Sequence, residues 1–325
     1  CKVMNSRFQI LLIVVVSLLA TLFIGCMRET PKRNNTQLFE VVENQSGKLE
    51  FPKRIAVQDT VRLQRCFNYI DSLVVAYDSL TDYTLSEHLL VRANPWVITT
   101  LANTDYYRMM ERDSFVYDQK KQIVLRPRDS LLIPDSLSAE LIMNKIARAR
   151  IDVNIPEFKL RVYEDTILLY TFPVRVGQNR KRYLKMGDRV TDLRTKTGEG
   201  EIVDYRKNPV FYNPVDGKRF YLTKRDDKKT TVMPQIPWIE TEINGVRNGQ
   251  LIHPTTNPKS LGKAYSNGCI GTSEAAAWVI YYHTPVGTKV TIRYDLNVTD
   301  SLGGETVLKD IYKNSNLKID ELIEQ

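Results

Sequence analysis

The chain has 325 residues, of which 42% are apolar and 9% aromatic, so it is long enough to bury one large core or two ordinary ones. This composition excludes an intrinsically disordered chain. The formal net charge of +8 would suit nucleic acid as a partner in a cytosolic protein, but an acidic polymer or an anionic membrane face in an exported one.

An export signal is predicted at the N-terminus. Lys2 and Arg7 precede an apolar run from Ile10 to Ile24. This run has about 15 residues, whereas a membrane-spanning helix needs roughly 20. We therefore interpret residues 1–25 as a signal peptide and expect no permanent span.

A lipid anchor is predicted where this run ends. The stretch Leu22-Phe23-Ile24-Gly25-Cys26 resembles a lipobox, in which a cysteine after a small residue is lipidated and becomes the new N-terminus. Phe23 stands where leucine is usual, so cleavage without lipidation stays open. With Cys26 lipidated, the chain would be attached to a membrane in the cell envelope, on the periplasmic side. The polar, aperiodic residues 26–50 are then the linker.

The cysteines and histidines indicate neither a disulfide framework nor a metal site. Cys66 and Cys269 are the cysteines that remain in the predicted folded body, and we expect Cys66 to be buried and inert. The three histidines, at positions 88, 253 and 283, have no zinc-binding spacing. We expect no metal and no cofactor.

Residues 51–148 are predicted to form a mostly helical N-terminal domain, whose role the sequence does not indicate. One helix face is predicted by the spacing of Leu63, Phe67, Ile70, Val74 and Tyr77. Further helices are predicted from Ser86 as an N-cap, from Asn94-Pro95, and from Ser138 as an N-cap.

One hairpin is predicted within this helical region. The apolar stretches 114–117 and 122–126 flank the polar residues 118–121. The charged runs 181–185 and 224–229, further along the chain, are interpreted as solvated loops.

A β domain is predicted over residues 149–298, followed by a C-terminal tail at 299–325. Its first strands show period-two spacing, beginning with Ile151, Val153 and Ile155. One helix is predicted at Glu274 to Tyr282. The fold class expected for the whole chain is therefore α+β.

The strongest chemical signal is a histidine and a cysteine 16 positions apart, His253 and Cys269. A cysteine thiol is mostly protonated at neutral pH, so a nucleophilic cysteine needs an imidazole or a helix N-terminus nearby. His253 is the candidate base. The N-cap candidates Thr272 and Ser273 predict that helix-terminal N–H groups also lie near the sulfur.

Gly268 is predicted to assist this chemistry through its backbone. A glycine directly before the nucleophile permits a tight turn, and the N–H groups of Gly268 and Cys269 would then form an oxyanion hole. We interpret His283 as a helix-capping or structural residue and His88 as a surface or packing residue.

This stretch resembles the YkuD family of L,D-transpeptidases, whose pattern is a strand histidine, a loop, and Ser-x-Gly-Cys followed by an apolar residue and arginine. Here the pattern corresponds to His253 and Ser266-Asn267-Gly268-Cys269-Ile270. The resemblance covers residues 148 to 295, including Thr195-Lys-Thr-Gly198 and Pro285-Val-Gly-Thr-Lys-Val-Thr-Ile292.

The resemblance implies a mainly β, L,D-transpeptidase-like sandwich behind the helical N-terminal region. It also implies catalytic roles for Cys269, His253 and Gly268. The implied substrate-binding residues are Tyr265, Ser266, Asn267, Trp238 and Thr255, although Trp238 is read equally well as a core aromatic. One departure is Gly271, which stands where the family has arginine; Lys263, Arg247 and Lys259 are candidates to replace that guanidinium.

The activity implied is that of a peptidoglycan L,D-transpeptidase. Cys269 would form an acyl-enzyme with a tetrapeptide stem, release D-alanine, and pass the acyl group to an amine of a second stem. The partners expected are peptidoglycan stem peptides and a membrane, with no nucleic acid, and the chain is expected to be a monomer. The alternatives are an L,D-carboxypeptidase, which uses water as acceptor, and a catalytically weak peptidoglycan-binding lipoprotein. An active site is also expected to be acylated by a carbapenem.

Overall fold

The computed structural model describes residues 51–299 and 303–313, so the predicted signal peptide, Cys26 and the linker lie outside the described residues. Across the described part, helices occupy mainly the N-terminal region and strands the C-terminal region, which confirms the α+β class. None of the described helices combines the length and apolar character needed to cross a bilayer. The helices are α1 (Cys66–Tyr77), α2 (Glu87–Arg92), α3 (Pro95–Ala102), α4 (Tyr106–Met110), α5 (Ser136–Ala147) and α6 (Glu274–His283).

The N-terminal region also contains two small antiparallel strand pairs. Strand β1 (Lys53–Ala56) pairs with β4 (Ser130–Ile133), and β2 (Val61–Arg62) pairs with β3 (Ile123–Leu125). Both pairs join segments far apart in sequence, and they bring the two ends of this region together.

The C-terminal region contains the remaining strands. In chain order they are β5 (Ala149–Asn154), β6 (Lys159–Glu164), β7 (Ile167–Pro173), β8 (Val176–Gly177), β9 (Lys181–Leu184), β10 (Arg189–Asp192), β11 (Gly198–Arg206), β12 (Phe211–Tyr212), β13 (Arg219–Phe220), β14 (Leu222–Lys224), β15 (Thr230–Val232), β16 (Trp238–Ile243), β17 (Leu251–Pro254), β18 (Ala264–Ser266), β19 (Ile270–Thr272), β20 (Lys289–Arg293), β21 (Asn297–Thr299) and β22 (Glu305–Val307).

Eight of these strands form one sheet in the order β19-β17-β16-β11-β20-β5-β6-β7. The pairs β17–β19 and β20–β5 are parallel and the others antiparallel. The alternating apolar residues of these strands form one buried cluster, against which Ala276 and Ile280 of α6 pack. Tyr312, from the predicted C-terminal tail, also lies in this cluster and donates to Gly177 O at 2.8 Å.

Most predicted elements are present with small shifts. The helix predicted from Leu63 begins as a 3-10 turn and becomes α1 at Cys66. Ser86 caps α2 through Leu89 N–H, and Pro95 opens α3. Residue 149 begins β5, as the change of period predicts, although the domain boundaries themselves stay predictions.

The hairpin predicted over residues 114–126 was wrong. Residues 122–126 contain β3, but its partner is β2, and residues 114–117 form no strand. Asp118 caps a 3-10 turn, Gln119–Lys121, instead of closing a hairpin. The N-cap of α5 is likewise Asp135, whose side chain accepts from Ser138 N–H, and not Ser138 itself.

The interpretation of 224–229 as a solvated run was wrong for Arg225. Its guanidinium is fully buried and forms an ion pair with the buried carboxylate of Glu274, at the start of α6. Gln119 Nε2 and Tyr106 N–H also donate to that carboxylate, at 2.7 and 3.0 Å. The ion pair therefore joins the β14–β15 hairpin, the helical region and α6.

We predict that Arg225→Met lowers the free energy of unfolding by about 3–5 kcal/mol, because it leaves the Glu274 carboxylate buried without its cation. Urea denaturation measures the loss. Arg206→Met is the matched control: Arg206 pairs with Glu240 at 3.2 Å but is half-exposed, so about 0–1 kcal/mol is expected. Equal effects for the two variants would contradict this account.

Candidate active site

Strands β17 and β19 pair the chain segments that carry the predicted base and the predicted nucleophile. They run parallel at one edge of the sheet, with His253 level with Gly271. Cys269 immediately precedes β19, and its sulfur accepts a hydrogen bond from Leu251 N–H at 3.4 Å. Cys269 therefore lies two residues before the position of the neighbouring strand that is level with His253.

The imidazole of His253 is neutral at neutral pH. Its ring stacks on Trp238, with centroids 4.5 Å apart and planes at 29°. Nδ1 lies 2.8 Å from Pro254 O, and because a carbonyl only accepts, we infer that Nδ1 carries the proton and Nε2 the lone pair. Burial of the ring, together with the charge of Arg175, lowers the pKa of His253 to about 4.

The thiol of Cys269 is protonated at rest. Burial raises its pKa, against the opposing effects of Leu251 N–H and of the positive charges of Arg175 and Arg206. The predicted help from the helix N-terminus stays a prediction, and two of the first amides of α6 have other partners. Ala275 N–H donates to Asp105 and Ala276 N–H to Ser273.

The loop before the cysteine is braced by Ser266. Its hydroxyl donates to Cys269 O at 2.6 Å and accepts from Gly268 N–H at 3.2 Å. Gly268 has φ 114° and a Cβ there would lie 2.6 Å from Gln250 Nε2, so the turn requires glycine. For Gly268 N–H to serve in an oxyanion hole, it must first leave Ser266.

The other predicted substrate-binding residues differ in how far they are exposed to solvent. Trp238 forms one wall beside His253, backed by the ring of Phe211 at 5.6 Å. Tyr265 is 62% exposed and Asn267 is half-buried. Thr255 is buried, and its hydroxyl accepts from Asn257 N–H. Their roles toward a substrate stay predictions.

The helical region supports the loop that follows His253, a connection that no sequence pattern indicated. Tyr107 OH donates to Thr256 O at 3.1 Å and accepts from Asp226 N–H at 2.9 Å. Asp226 in turn accepts from Lys259 N–H at 2.8 Å. Residues beyond the β domain thus fix the path of this loop.

The other two histidines and the other described cysteine are held by packing and hydrogen bonds within the fold. His283 lies at the end of α6 with Nδ1 2.9 Å from Val279 O, and His88 packs between helices with Nε2 3.0 Å from Tyr281 O. Cys66 is buried, and burial raises its thiol pKa to about 12. Over residues 51–299 and 303–313, no cluster of three or more His, Cys, Asp or Glu side chains is arranged to hold a metal ion.

The candidates to replace the guanidinium missing at position 271 do not lie there. Lys263, Arg247 and Lys259 are exposed, and Arg247 lies 3.9 Å from Glu242. The side chain that lies against Gly271 is that of Arg175, just before β8.

The region that contains this sheet and the Cys–His pair is similar to the catalytic domain of L,D-transpeptidases. Residues 148–292 match the family model of that description, YkuD, which confirms the resemblance for this part of the chain. A Bacillus licheniformis protein assigned to the L,D-transpeptidases, YkuD, is 26% identical over 163 residues, which are 50% of this chain and 73% of that protein.

Solved structures that resemble the chain are also L,D-transpeptidases. One from Mycobacterium smegmatis is 17% identical with a TM-score of 0.31, and the match covers 45% of this chain and 58% of that one. One from Xylanimonas cellulosilytica is 12% identical with a TM-score of 0.33. That match covers 76% of this chain and 100% of the Xylanimonas chain. The chain thus spans just over half the length of the Mycobacterium smegmatis protein.

We predict that Trp238→Ala raises the pKa of His253 from about 4 toward the 6.5 of an exposed imidazole, because the ring loses the wall that keeps water away. A side-chain NMR titration measures this. Trp238→Phe is the control and keeps the low value, while His88 and His283 serve as internal references. An unchanged His253 titration in Trp238→Ala would contradict the burial argument.

Proposed function

We propose that the chain is a peptidoglycan L,D-transpeptidase with Cys269 as nucleophile and His253 as base. The observation that supports the proposal is the β17–β19 register, in which His253 lies level with Gly271, two residues after Cys269, while the Pro254 O contact of Nδ1 leaves the lone pair on Nε2. The match of residues 148–292 to the L,D-transpeptidase catalytic domain supports the choice of substrate class.

The first half-reaction would form a thioester. His253 Nε2 takes the thiol proton as the sulfur of Cys269 attacks the carbonyl carbon between the diamino acid and the terminal D-alanine. The N–H of Cys269, joined by that of Gly268 once it leaves Ser266 Oγ, stabilises the oxyanion of the tetrahedral intermediate. That intermediate then collapses as the C–N bond breaks, and the imidazolium returns its proton to the departing amine of D-alanine.

The second half-reaction would resolve the thioester. The amine of a second stem attacks the thioester carbon while His253 accepts its proton, and the C–S bond breaks to form the cross-link. The thiolate recovers the proton from His253. If water took the place of the amine, the same groups would produce a shortened stem, which is the carboxypeptidase outcome.

We also propose, from the sequence alone, that Cys26 carries a lipid and that the β domain acts on the periplasmic side of a membrane as a monomer. The basic balance of the chain would favour approach to stems that carry free carboxylates. Labelling with a fatty-acid analogue, lost in Cys26→Ala, would test the anchor.

The test of the function is to incubate the detergent-solubilised full chain with disaccharide tetrapeptide and follow the products by mass spectrometry. We predict a cross-linked dimer that has lost one D-alanine, with none from Cys269→Ala. Cys66→Ser is the matched control, because Cys66 is the other free cysteine in the described part and is buried at the start of α1. It should keep the activity.

Two results would contradict the proposal in different ways. Tripeptide without dimer would assign the carboxypeptidase reaction. Unchanged tetrapeptide with no mass adduct on Cys269 would assign a peptidoglycan-binding protein.

A further inference from the structure

Arg175 and Gly271 form a close pair beside Cys269. Their backbones exchange two hydrogen bonds, each of 2.9 Å. A Cβ at position 271 would lie 2.5 Å from Arg175 Nε and 2.6 Å from its Cγ, closer than real Cβ atoms come. Gly271 has ordinary strand geometry, so it is required by the space that Arg175 fills and not by its own backbone angles.

The guanidinium of Arg175 is largely buried, and no carboxylate forms an ion pair with it among residues 51–299 and 303–313. Its Nε has no hydrogen-bond partner within the described residues, and Nη1 lies 3.4 Å from Ser260 Oγ. Burial lowers the pKa of Arg175, and the two titratable groups that oppose this effect are Cys269 and Tyr265. An unbalanced buried cation destabilises a fold, so its presence points to a negative charge that arises at the site during use.

That negative charge is best assigned to the sulfur of Cys269. Arg175 pairs with Gly271, two residues after Cys269, and its positive charge opposes the rise in the pKa of that thiol. It also disfavours a protonated His253, so the base is neutral when the thiol must lose its proton. Tyr265, the alternative, is exposed and needs no buried counter-charge.

We propose that Arg175 is a positioning residue for the nucleophile: from the space left by Gly271, its guanidinium stabilises the sulfur anion of Cys269. The arginine that the family pattern carries two positions after the cysteine is thus replaced by one from the neighbouring chain segment. The thiol proton still goes to His253 Nε2, and Arg175 exchanges no proton. The proposal rests on the proposed function only in taking Cys269 as the nucleophile.

The test measures the reactivity of Cys269 without any substrate. The detergent-solubilised full chain is alkylated with iodoacetamide across pH, and peptide mass spectrometry follows the peptide that contains Cys269 apart from the other cysteines. Arg175→Met keeps the aliphatic packing and the backbone pair. We expect the apparent pKa of Cys269 to rise by about one unit or more, and alkylation near neutral pH to slow about tenfold.

Two controls separate charge from structure. Arg175→Lys keeps a positive charge and should shift the profile less than Arg175→Met. Arg206→Met removes a cation that is half-exposed and paired with Glu240. It should therefore raise the apparent pKa of Cys269 less than Arg175→Met does.

A swap of the two residues is the sharper test. Gly271→Arg alone collides with Arg175, and Arg175→Ser alone lacks the charge. The double variant Arg175→Ser, Gly271→Arg restores a guanidinium to the same space and should return the apparent pKa toward the original. An unchanged profile in Arg175→Met, or a swap variant no more reactive than Arg175→Ser, would overturn the proposal.

This outcome is independent of turnover. A shifted alkylation profile in a chain that makes no dimer from tetrapeptide would keep the role of Arg175 and reject the transpeptidase. Dimer formation together with an unshifted alkylation profile in Arg175→Met would support the transpeptidase and reject the role of Arg175.

Discussion

The parallel pairing of β17 with β19 is the constraint on which the site depends. It sets His253 level with Gly271 and leaves Cys269 at the entrance of the second strand, where Leu251 N–H meets its sulfur. The turn into β19 is possible because Gly268 adopts a backbone angle that other residues avoid, and Ser266 holds that turn from within. A change in register by one residue would move the imidazole to the opposite face of the sheet.

Burial governs the electrostatics of this pair. It lowers the pKa of His253 and raises that of Cys269, so the resting site holds a neutral imidazole and a neutral thiol. In the proposed reaction, charge separation would then occur only during turnover, where a guanidinium and backbone N–H groups in a site of low polarity act more strongly than they would in water. In this proposal, the positive charge of Arg175 is already in place before Cys269 loses its proton.

Much of the fold was readable from periodicity. Strand β5 and helix α1 lie where the alternating and three-and-four spacings predict, because apolar residues at those spacings are buried. The His253 and Cys269 pair was also readable, since the surrounding residues form a recognisable local pattern. The local sequence was sufficient to predict an element wherever the residues of that element alone determine its conformation.

The contacts between distant segments were not readable. Arg225 sits in a charged run that looks solvated, yet its partner Glu274 lies 49 positions away and is buried with it. Strand β3 finds β2 and not its neighbour in sequence, for the same reason. The role proposed for Arg175 was not readable either, because it depends on the absence of a side chain at Gly271, on a distant chain segment.

The central claim, that Cys269 is a nucleophile activated by His253, is tested most directly by acylation with a carbapenem and peptide mapping by mass spectrometry. The account predicts a single adduct on the peptide that contains Cys269, formed at a much lower rate in His253→Gln. An adduct on another residue, or an equal rate in His253→Gln, would contradict it.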